Sequence, residues 1–407
     1  MTFWPSKRVV VGIGGGIAAY KTVDLIRRLR EQGAQVTVVV TAAALQFITR
    51  MTLQAISGAK VWDDLFALDQ EQEMGHIRLA RAADLVIVAP ATADLLARLA
   101  CGQADDLLTT LLLARAGQPV LLAPAMNPAM WHHPATQRNV ARLQADGLLL
   151  VGPESGAMAC GEEGMGRLAT TEAILEAGRR AMTPARWQGR RLLVTAGPTC
   201  EALDPVRYLG NRSSGKMGWA VALAAARLGA EVQLVHGPIA LPPPDGVRTV
   251  AVTSAAEMYQ AAMARWPDCH AAILTAAVAD FRPQFCQTDK IKKPAQGAEQ
   301  QPMTLVLQQT EDILAAVVAQ RRPGQVVVGF AAETTDVEQQ GWDKLRRKGC
   351  DLLAVNDVTA AGCGFEVDTN QILLLGQQGQ RQSWPMLTKE ETAERLLGAV
   401  EELWPDY

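Results

Sequence analysis

No Cys-x-x-Cys pair occurs in this chain, and its 7 cysteines are scattered and odd in number. That excludes a zinc-ribbon framework, argues against a disulfide scaffold and fits reduced thiols in a cytoplasm. His132 and His133 are adjacent, so they point apart on either a helix or a strand and do not form a metal pair. There is no excess of charge either: the net value is -3. Without a basic face, nucleic acid is not an expected partner. The longest apolar stretches are interrupted by Asp94, Arg98, Arg115 and several prolines, so no membrane span is expected. The first residues, Met1-Thr-Phe-Trp-Pro-Ser-Lys-Arg, lead into a strand and lack the layout of a signal peptide. A cytoplasmic location is the expectation.

What is present is a pattern given twice. At 407 residues the chain exceeds one ordinary core, and domains of roughly 200 residues are the natural division. Residues 7–12 are rich in β-formers and end in Gly12-Ile-Gly-Gly-Gly16; 18–31 is helix-like and 34–40 is β again. Residues 191–196, 219–228 and 230–236 do the same. The joints also match, Arg30-Glu-Gln-Gly-Ala-Gln-Val36 beside Ala226-Arg-Leu-Gly-Ala-Glu-Val232. Further strands are expected at 84–89, 120–123, 271–275, 326–330 and 352–355. Near-continuous apolar runs alternating with helical periodicity predict parallel strands covered on both faces. The expected fold is α/β, with two doubly wound Rossmann-like domains and mainly parallel sheets. The join falls near 182–189, giving domains 1–189 and 190–407. Pro242-Pro-Pro244 reads as a stiff loop, and 284–301 as a long mobile one.

In such sheets ligands sit beyond the carboxyl ends of the strands. The segment Asn211-Arg-Ser-Ser-Gly-Lys-Met-Gly218 stands between a strand and a helix. It has the composition of a phosphate seat: small residues for close approach, backbone N–H groups, a helix N-terminus and a lysine. A nicotinamide site fares worse. Gly14-x-Gly16-x-x-Ala19 loosely fits the dinucleotide fingerprint, but the second strand ends Val38-Val-Val-Thr41 with no acid for a ribose diol. The corresponding strand of the second half ends in Val235-His236. Around the first half's strand ends stand Gly75-His76-Ile77, Ala89-Pro-Ala-Thr-Ala-Asp94, Pro124-Ala-Met-Asn127 and Ala159-Cys-Gly-Glu-Glu-Gly-Met-Gly-Arg167. Singly, a histidine there is a cap and a cysteine an inert filler. Together they gather His, Asn, Thr and Cys where core packing requires none of them.

These loops, with Gly-Gly-Ile-Ala-Ala-Tyr-Lys21, Asp204-Pro-Val-Arg-Tyr208, Ala276-Ala-Val-Ala-Asp280 and Lys290-Ile-Lys-Lys293, carry a resemblance along nearly the whole chain. It resembles the bifunctional bacterial phosphopantothenoylcysteine decarboxylase/phosphopantothenate–cysteine ligases of coenzyme A biosynthesis. The resemblance implies a flavodoxin-like first domain that binds FMN and decarboxylates. It implies a second domain that uses CTP and Mg²⁺ to join cysteine to 4'-phosphopantothenate through an acyl cytidylate. By the same likeness, His76 is an acid/base group, Asn127 holds the substrate and Cys160 donates a proton to the ene-thiol. Arg167 is a charge partner, and Gly14, Gly15, Gly16, Thr41, Thr92 and Ala93 contact FMN.

In the second domain the likeness assigns phosphate binding to Ser213, Ser214, Gly215 and Lys216. Lys290 neutralises charge during activation, and Asn211 turns over the acyl cytidylate. Arg207 and Ala276 fall at substrate positions. Asp280, Thr310, Asp312, Ile313 and Phe330 fall at nucleotide positions, while Lys344 and Lys348, one helical turn apart, face phosphates. The family's large homo-oligomers, with trimeric decarboxylase and dimeric ligase contacts up to a dodecamer, are implied as well. Mg²⁺ is expected to be held through the CTP phosphates, with no protein ligand assigned. Three departures are visible: Gly14 where the family usually has Ser or Thr, Thr199-Cys-Glu-Ala for Thr-Arg-Glu-Pro, and Thr310-Glu-Asp-Ile for a Pro-Asp-Ile pattern. Competing expectations are an FMN decarboxylase fused to a non-catalytic regulatory domain and a flavoprotein-like inhibitor. The presence of Asn211, Lys216 and Lys290 argues against the first, and that of His76 and Cys160 against the second.

Overall fold

The computed structural model describes residues 3–66, 75–157, 161–244, 246–292, 303–333, 335–357 and 367–404. The chain divides into two compact units, Met1–Pro184 and Ala185–Tyr407.

In the first unit a 6-stranded sheet runs in the order Val61–Trp62, Gln35–Val40, Arg8–Ile13, Leu85–Ala91, Val120–Pro124 and Leu149–Leu150. All of its pairings are parallel. Every residue of Leu85–Ala91 and of Val120–Pro124 is buried, as strands covered on both faces must be. Strand periodicity sends Val9, Val11 and Ile13 into one apolar layer with Leu25, Ile26 and Leu29 of helix Thr22–Glu31. Val10 turns the other way, toward Leu96 of helix Ala93–Cys101 and Leu108 of helix Leu107–Leu113. The chain winds first to one side of Arg8–Ile13 and then to the other. That leaves a crevice at the carboxyl ends of Arg8–Ile13 and Leu85–Ala91. The expected helix at 18–31 is shorter than the pattern implied: Ile17–Lys21 is a 3₁₀ turn, and the α-helix starts at Thr22.

The second unit repeats the winding in an 8-stranded sheet. Arg248–Ala251, Glu231–His236, Arg191–Ala196, Ala271–Leu274, Val326–Glu333 and Leu352–Asp357 are parallel. Ile372–Gly376 and Arg381–Ser383 extend it in antiparallel fashion. The sequence reading placed no strand beyond 355. Arg381–Ser383 is exposed throughout, so no apolar alternation marks that edge hairpin. Helix Lys216–Arg227 lies close on the sheet because residue 218 is glycine. A Cβ there would stand 2.5 Å from the Ala196 Cβ and 2.6 Å from the Thr275 Oγ1.

The division between units falls at Pro184/Ala185, earlier than the expected 189/190. Trp187 explains the difference. Its ring is fully buried, stands edge-on to Trp404 with centroids 4.7 Å apart, and donates from Nε1 to Glu401 Oε1 at 2.8 Å. Its backbone N–H donates to the Leu228 carbonyl at 2.8 Å. The connecting residues therefore pack with the second core. The expected loop at 284–301 begins after strand Phe281–Pro283, which pairs with Leu307–Gln309; residues 293–301 of it lie outside the described residues. Among the described residues no helix is long and apolar enough to cross a membrane.

Truncating Trp187 to Ala removes a large buried ring and leaves Glu401 short of a donor. A loss of about 3–5 kcal/mol is expected in the second unit. The check is native-state amide exchange, in which strand Arg191–Ala196 should lose protection while strand Arg8–Ile13 keeps its own.

Candidate functional site

In each unit a large cavity opens beyond the carboxyl ends of the strands. In the first unit it measures about 740 Å³ and is lined by Gly14, Gly15, Gly16, Thr41, Thr92 and Ala93, with Asn127 and Arg167 across from them. The glycine loop is built for backbone contact. A Cβ at Gly15 would lie 2.3 Å from that of Ala43, and one at Gly14 would lie 2.5 Å from the Pro90 carbonyl oxygen. Thr92 caps helix Ala93–Cys101, its Oγ1 accepting from the Leu95 N–H at 3.3 Å, so that helix N-terminus opens at the same place. Thr41 Oγ1 accepts from the Ala44 N–H at 3.2 Å and shapes the opposing loop. Ile17 and Tyr20 line the cavity, yet remain 59% and 60% exposed. Glycine N–H groups at one end and apolar side chains at the other fit a ring system carrying a phosphate.

Asn127 is fixed on both sides of its amide. Its Oδ1 accepts from the Ala129 N–H at 2.8 Å, and its Nδ2 donates to Glu162 Oε2 at 2.6 Å. Arg167 ends the hairpin formed by Glu154–Ala157 and Glu163–Arg167. Lys21, to which no role was assigned, also lines the cavity; burial holds its ammonium below the usual lysine range, and Arg167 adds to the effect. His76 is the second residue of helix Gly75–Ala82, but its side chain lies outside the described residues, as does all of Cys160.

The second cavity, about 520 Å³, gathers Ser213, Ser214, Gly215, Lys216, Ala276, Asp280, Thr310, Asp312, Ile313, Phe330, Lys344 and Lys348. Lys216 opens a 12-residue helix after Gly215, whose φ of 72° requires glycine. Lys344 and Lys348 come from helix Val337–Lys348. Lys348 is ion-paired to Asp312, and Lys344 stands 3.6 Å from Glu333. Burial would raise the Asp312 carboxyl, but Lys348 and the Ala315 N–H hold it below the usual carboxylate range. Thr310 Oγ1 donates to the Ala279 carbonyl at 2.6 Å, anchoring its loop beside Asp280.

Three expected residues are not on this wall. Asn211 donates from Nδ2 to the Val278 carbonyl at 2.8 Å, behind a residue that does line the cavity. Arg207 and Lys290 belong to a strap centred on buried Asp204. The Val206 and Arg207 N–H groups donate to Asp204 Oδ1, both at 2.7 Å, and the Ile291 N–H to Oδ2 at 3.1 Å. Arg207 Nη1 donates to Asp204 Oδ2 at 2.8 Å and to the Ile291 carbonyl at 2.9 Å. Exposed Lys290 is thereby carried on a tethered backbone next to Ile291.

Sequence reading missed Asn356, Asn370 and Lys389 on the cavity wall. Asn356 follows the expected strand 352–355, and its place at a carboxyl end was a usable signal. Asn370 and Lys389 flank the antiparallel extension and carried none. Among the described residues no group of three or more His, Cys, Asp or Glu could hold a metal.

Residues 4–182 match the family model described as Flavoprotein, and residues 187–403 match the one described as DNA/pantothenate metabolism flavoprotein C-terminal domain. The chain is 47% identical over 397 residues to the Coenzyme A biosynthesis bifunctional protein CoaBC of Vibrio vulnificus (strain YJ016), covering 98% of each chain. It is 46% identical over 396 residues to the protein of the same name from Escherichia coli (strain K12), covering 97% of this chain and 96% of that one. A solved structure of the C-terminal domain of a Coenzyme A biosynthesis bifunctional protein CoaBC is 39% identical. It covers 53% of this chain and 96% of its own, with a TM-score of 0.45.

Two outcomes follow from the geometry. Gly15→Ala would force its Cβ against that of Ala43 and displace the loop, so flavin uptake should weaken about tenfold or more; fluorescence titration of the apoprotein measures this. Asp204, despite burial, is held below the usual carboxylate range by the three N–H groups and Arg207. Its contribution is therefore present above the ordinary aspartate pKa of about 3.9 and is lost as pH falls through the lower folded value. Amide exchange at Ile291 should accelerate below that point, and Asp204→Asn should show the faster exchange already at neutral pH.

Proposed function

Since the chain belongs to the family of bifunctional coenzyme A biosynthesis proteins, flavoproteins with both a decarboxylase and a ligase activity, we propose that its two cavities divide the work. The second unit ligates and the first decarboxylates. The observation that carries this division is the contrast in lining, a glycine loop with apolar neighbours in one unit and a Ser/Gly/Lys loop facing lysines in the other.

In the second unit the carboxylate of 4'-phosphopantothenate attacks the α-phosphate of CTP, releasing pyrophosphate and forming an acyl cytidylate. The amine of cysteine then attacks the acyl carbon and CMP leaves. An unactivated carboxylate does not acylate an amine at neutral pH, so the crowded anions must be held together by cations and N–H donors. Ser213, Ser214, Gly215 and Lys216 serve the phosphates, and Asp280 and Phe330 the cytidine end. Lys290 neutralises charge during activation, Asn211 serves turnover of the acyl cytidylate, and Arg207 keeps the Lys290 strap in place. Mg²⁺ enters on the triphosphate.

In the first unit FMN supplies the redox chemistry that makes the cysteinyl side chain an electron sink for loss of CO₂. The glycine loop and Thr92 support binding of its phosphate. Asn127 holds the substrate by its carboxylate or amide, with Arg167 as charge partner. His76 moves protons near the reacting carbon, and Cys160 returns a proton to the ene-thiol, which would become the saturated thiol on taking back the two electrons that the reduced flavin would hold. A homo-oligomer with trimeric decarboxylase and dimeric ligase contacts, up to a dodecamer, belongs to the same reading. Exposed Val206, Tyr208, Phe281 and Phe285 on the second unit support association there. A cytoplasmic location fits substrates of this kind.

The test supplies the purified chain with 4'-phosphopantothenate, CTP, Mg²⁺ and cysteine and follows products by mass. Appearance of 4'-phosphopantetheine is expected. A preparation that binds flavin but leaves CTP intact would reduce the second unit to a regulatory role. With supplied phosphopantothenoylcysteine, Cys160→Ser should release CO₂ without forming the saturated thiol; a normal thiol yield would remove that role.

A further inference from the structure

Lys389 and Asn370 line the second cavity with Lys216 but have been given no role. Lys389 is the first residue of helix Lys389–Glu401 and only 7% exposed. Its ammonium donates to the Val367 carbonyl, which leaves its other N–H donors to be used elsewhere. The charges acting on it are Lys216, which repels it, and Asp368, which attracts it. Asp368 is engaged by Lys216 at 2.6 Å, and its side chain is 83% exposed, where water screens its charge. Burial and Lys216 together hold the Lys389 ammonium below the usual lysine range. Burying an ammonium without close compensation is unfavourable unless an anion completes the site.

A second feature points the same way. Asn370 is 3% exposed and lines the cavity, and its Oδ1 has no hydrogen-bond partner among the described residues. Its Nδ2 spends its donor on the Met217 sulfur at 3.1 Å, a weak acceptor. Exchange of the two amide positions by rotation would turn a donor toward the orphaned side. The cavity's other two lysines are different in kind. Lys348 is paired to Asp312, and Lys344 stands by Glu333. Among the described residues, the buried ammonium without a close buried counterion is therefore that of Lys389, which shares the cavity lining with the Ser213–Lys216 loop and the N-terminus of helix Lys216–Arg227.

We propose that Lys389, supported by Asn370, is a binding residue for the phosphates of the nucleotide and holds the group that departs as pyrophosphate. The paired lysines Lys344 and Lys348 then face the nucleoside end beside Phe330. This rests on the reading of the second unit as the CTP-dependent ligase.

Steady-state ligation by the full chain tests it. Lys389→Met should raise KM for CTP, and the inhibition constant of inorganic pyrophosphate, about tenfold or more. KM for cysteine should stay unchanged, and Lys389→Arg should recover part of the loss. An unchanged KM for CTP in Lys389→Met, or equal losses for every substrate, overturns the assignment. If the variant does not fold, amide exchange of the wild-type chain decides. Inorganic pyrophosphate should protect residues 367–370 and the first turn of helix Lys389–Glu401, and absence of protection there overturns the assignment. A wild-type chain that releases no pyrophosphate from CTP removes the ligase reading instead, which keeps the two failures distinct.

Discussion

Parallel strands buried on both faces leave polar chemistry nowhere to go but their ends. That constraint organises both halves of this protein. Each central strand is apolar along its length, and its backbone groups are consumed by parallel neighbours. The first residues free to turn are those past the carboxyl end: Gly14 to Gly16 in one unit, and the segment after Ala196 in the other. Where the winding reverses, neighbouring loops diverge and a cavity opens between them. Helix N-termini point into the same space, so both cavities attract anions before any charged side chain is counted.

From that common plan the two sites diverge by side chain. The first is shaped by what glycine permits, with contacts so close that a single methyl would collide at Gly14 or Gly15. Such a loop can grip a phosphate only through its backbone, while Ile17 and Tyr20 offer apolar surface nearby. The second relies on cations carried by separate elements, with Lys216, Lys348 and Lys389 brought from three helices to one wall. Its most reactive expected group, Lys290, sits on a strap whose order depends on one buried carboxylate. On the proposed reading, binding falls to helix-borne cations of the cavity wall and activation to a tethered loop.

The elements most readily legible in the sequence were those with an unambiguous apolar period. Leu85–Ala91 and Val326–Glu333 are strands because nothing polar interrupts them, and the duplicated joint at Gly33 and Gly229 announced the repeat. The loop at 213–216 stood out by its composition, and it does line the second cavity. Asn370 and Lys389 were not, because their role depends on a short hairpin whose outer strand is wholly exposed and patternless. Nor could spacing show that Arg207 ties down the Lys290 segment, since the bond to Ile291 joins residues 84 positions apart. The division between units falls inside the expected stretch 182–189, but its exact place was not legible for a similar reason. Trp187 looks like part of a connector until Glu401 and Trp404, from the far end of the chain, are seen around it.

That tryptophan has a practical corollary for anyone dissecting the polypeptide. A fragment begun at residue 190 would strip the aromatic partner from Trp404 and expose the slot left behind, inviting aggregation. Starting at Ala185 keeps the clasp whole, so five residues at the amino end separate a sound excised half from a damaged one.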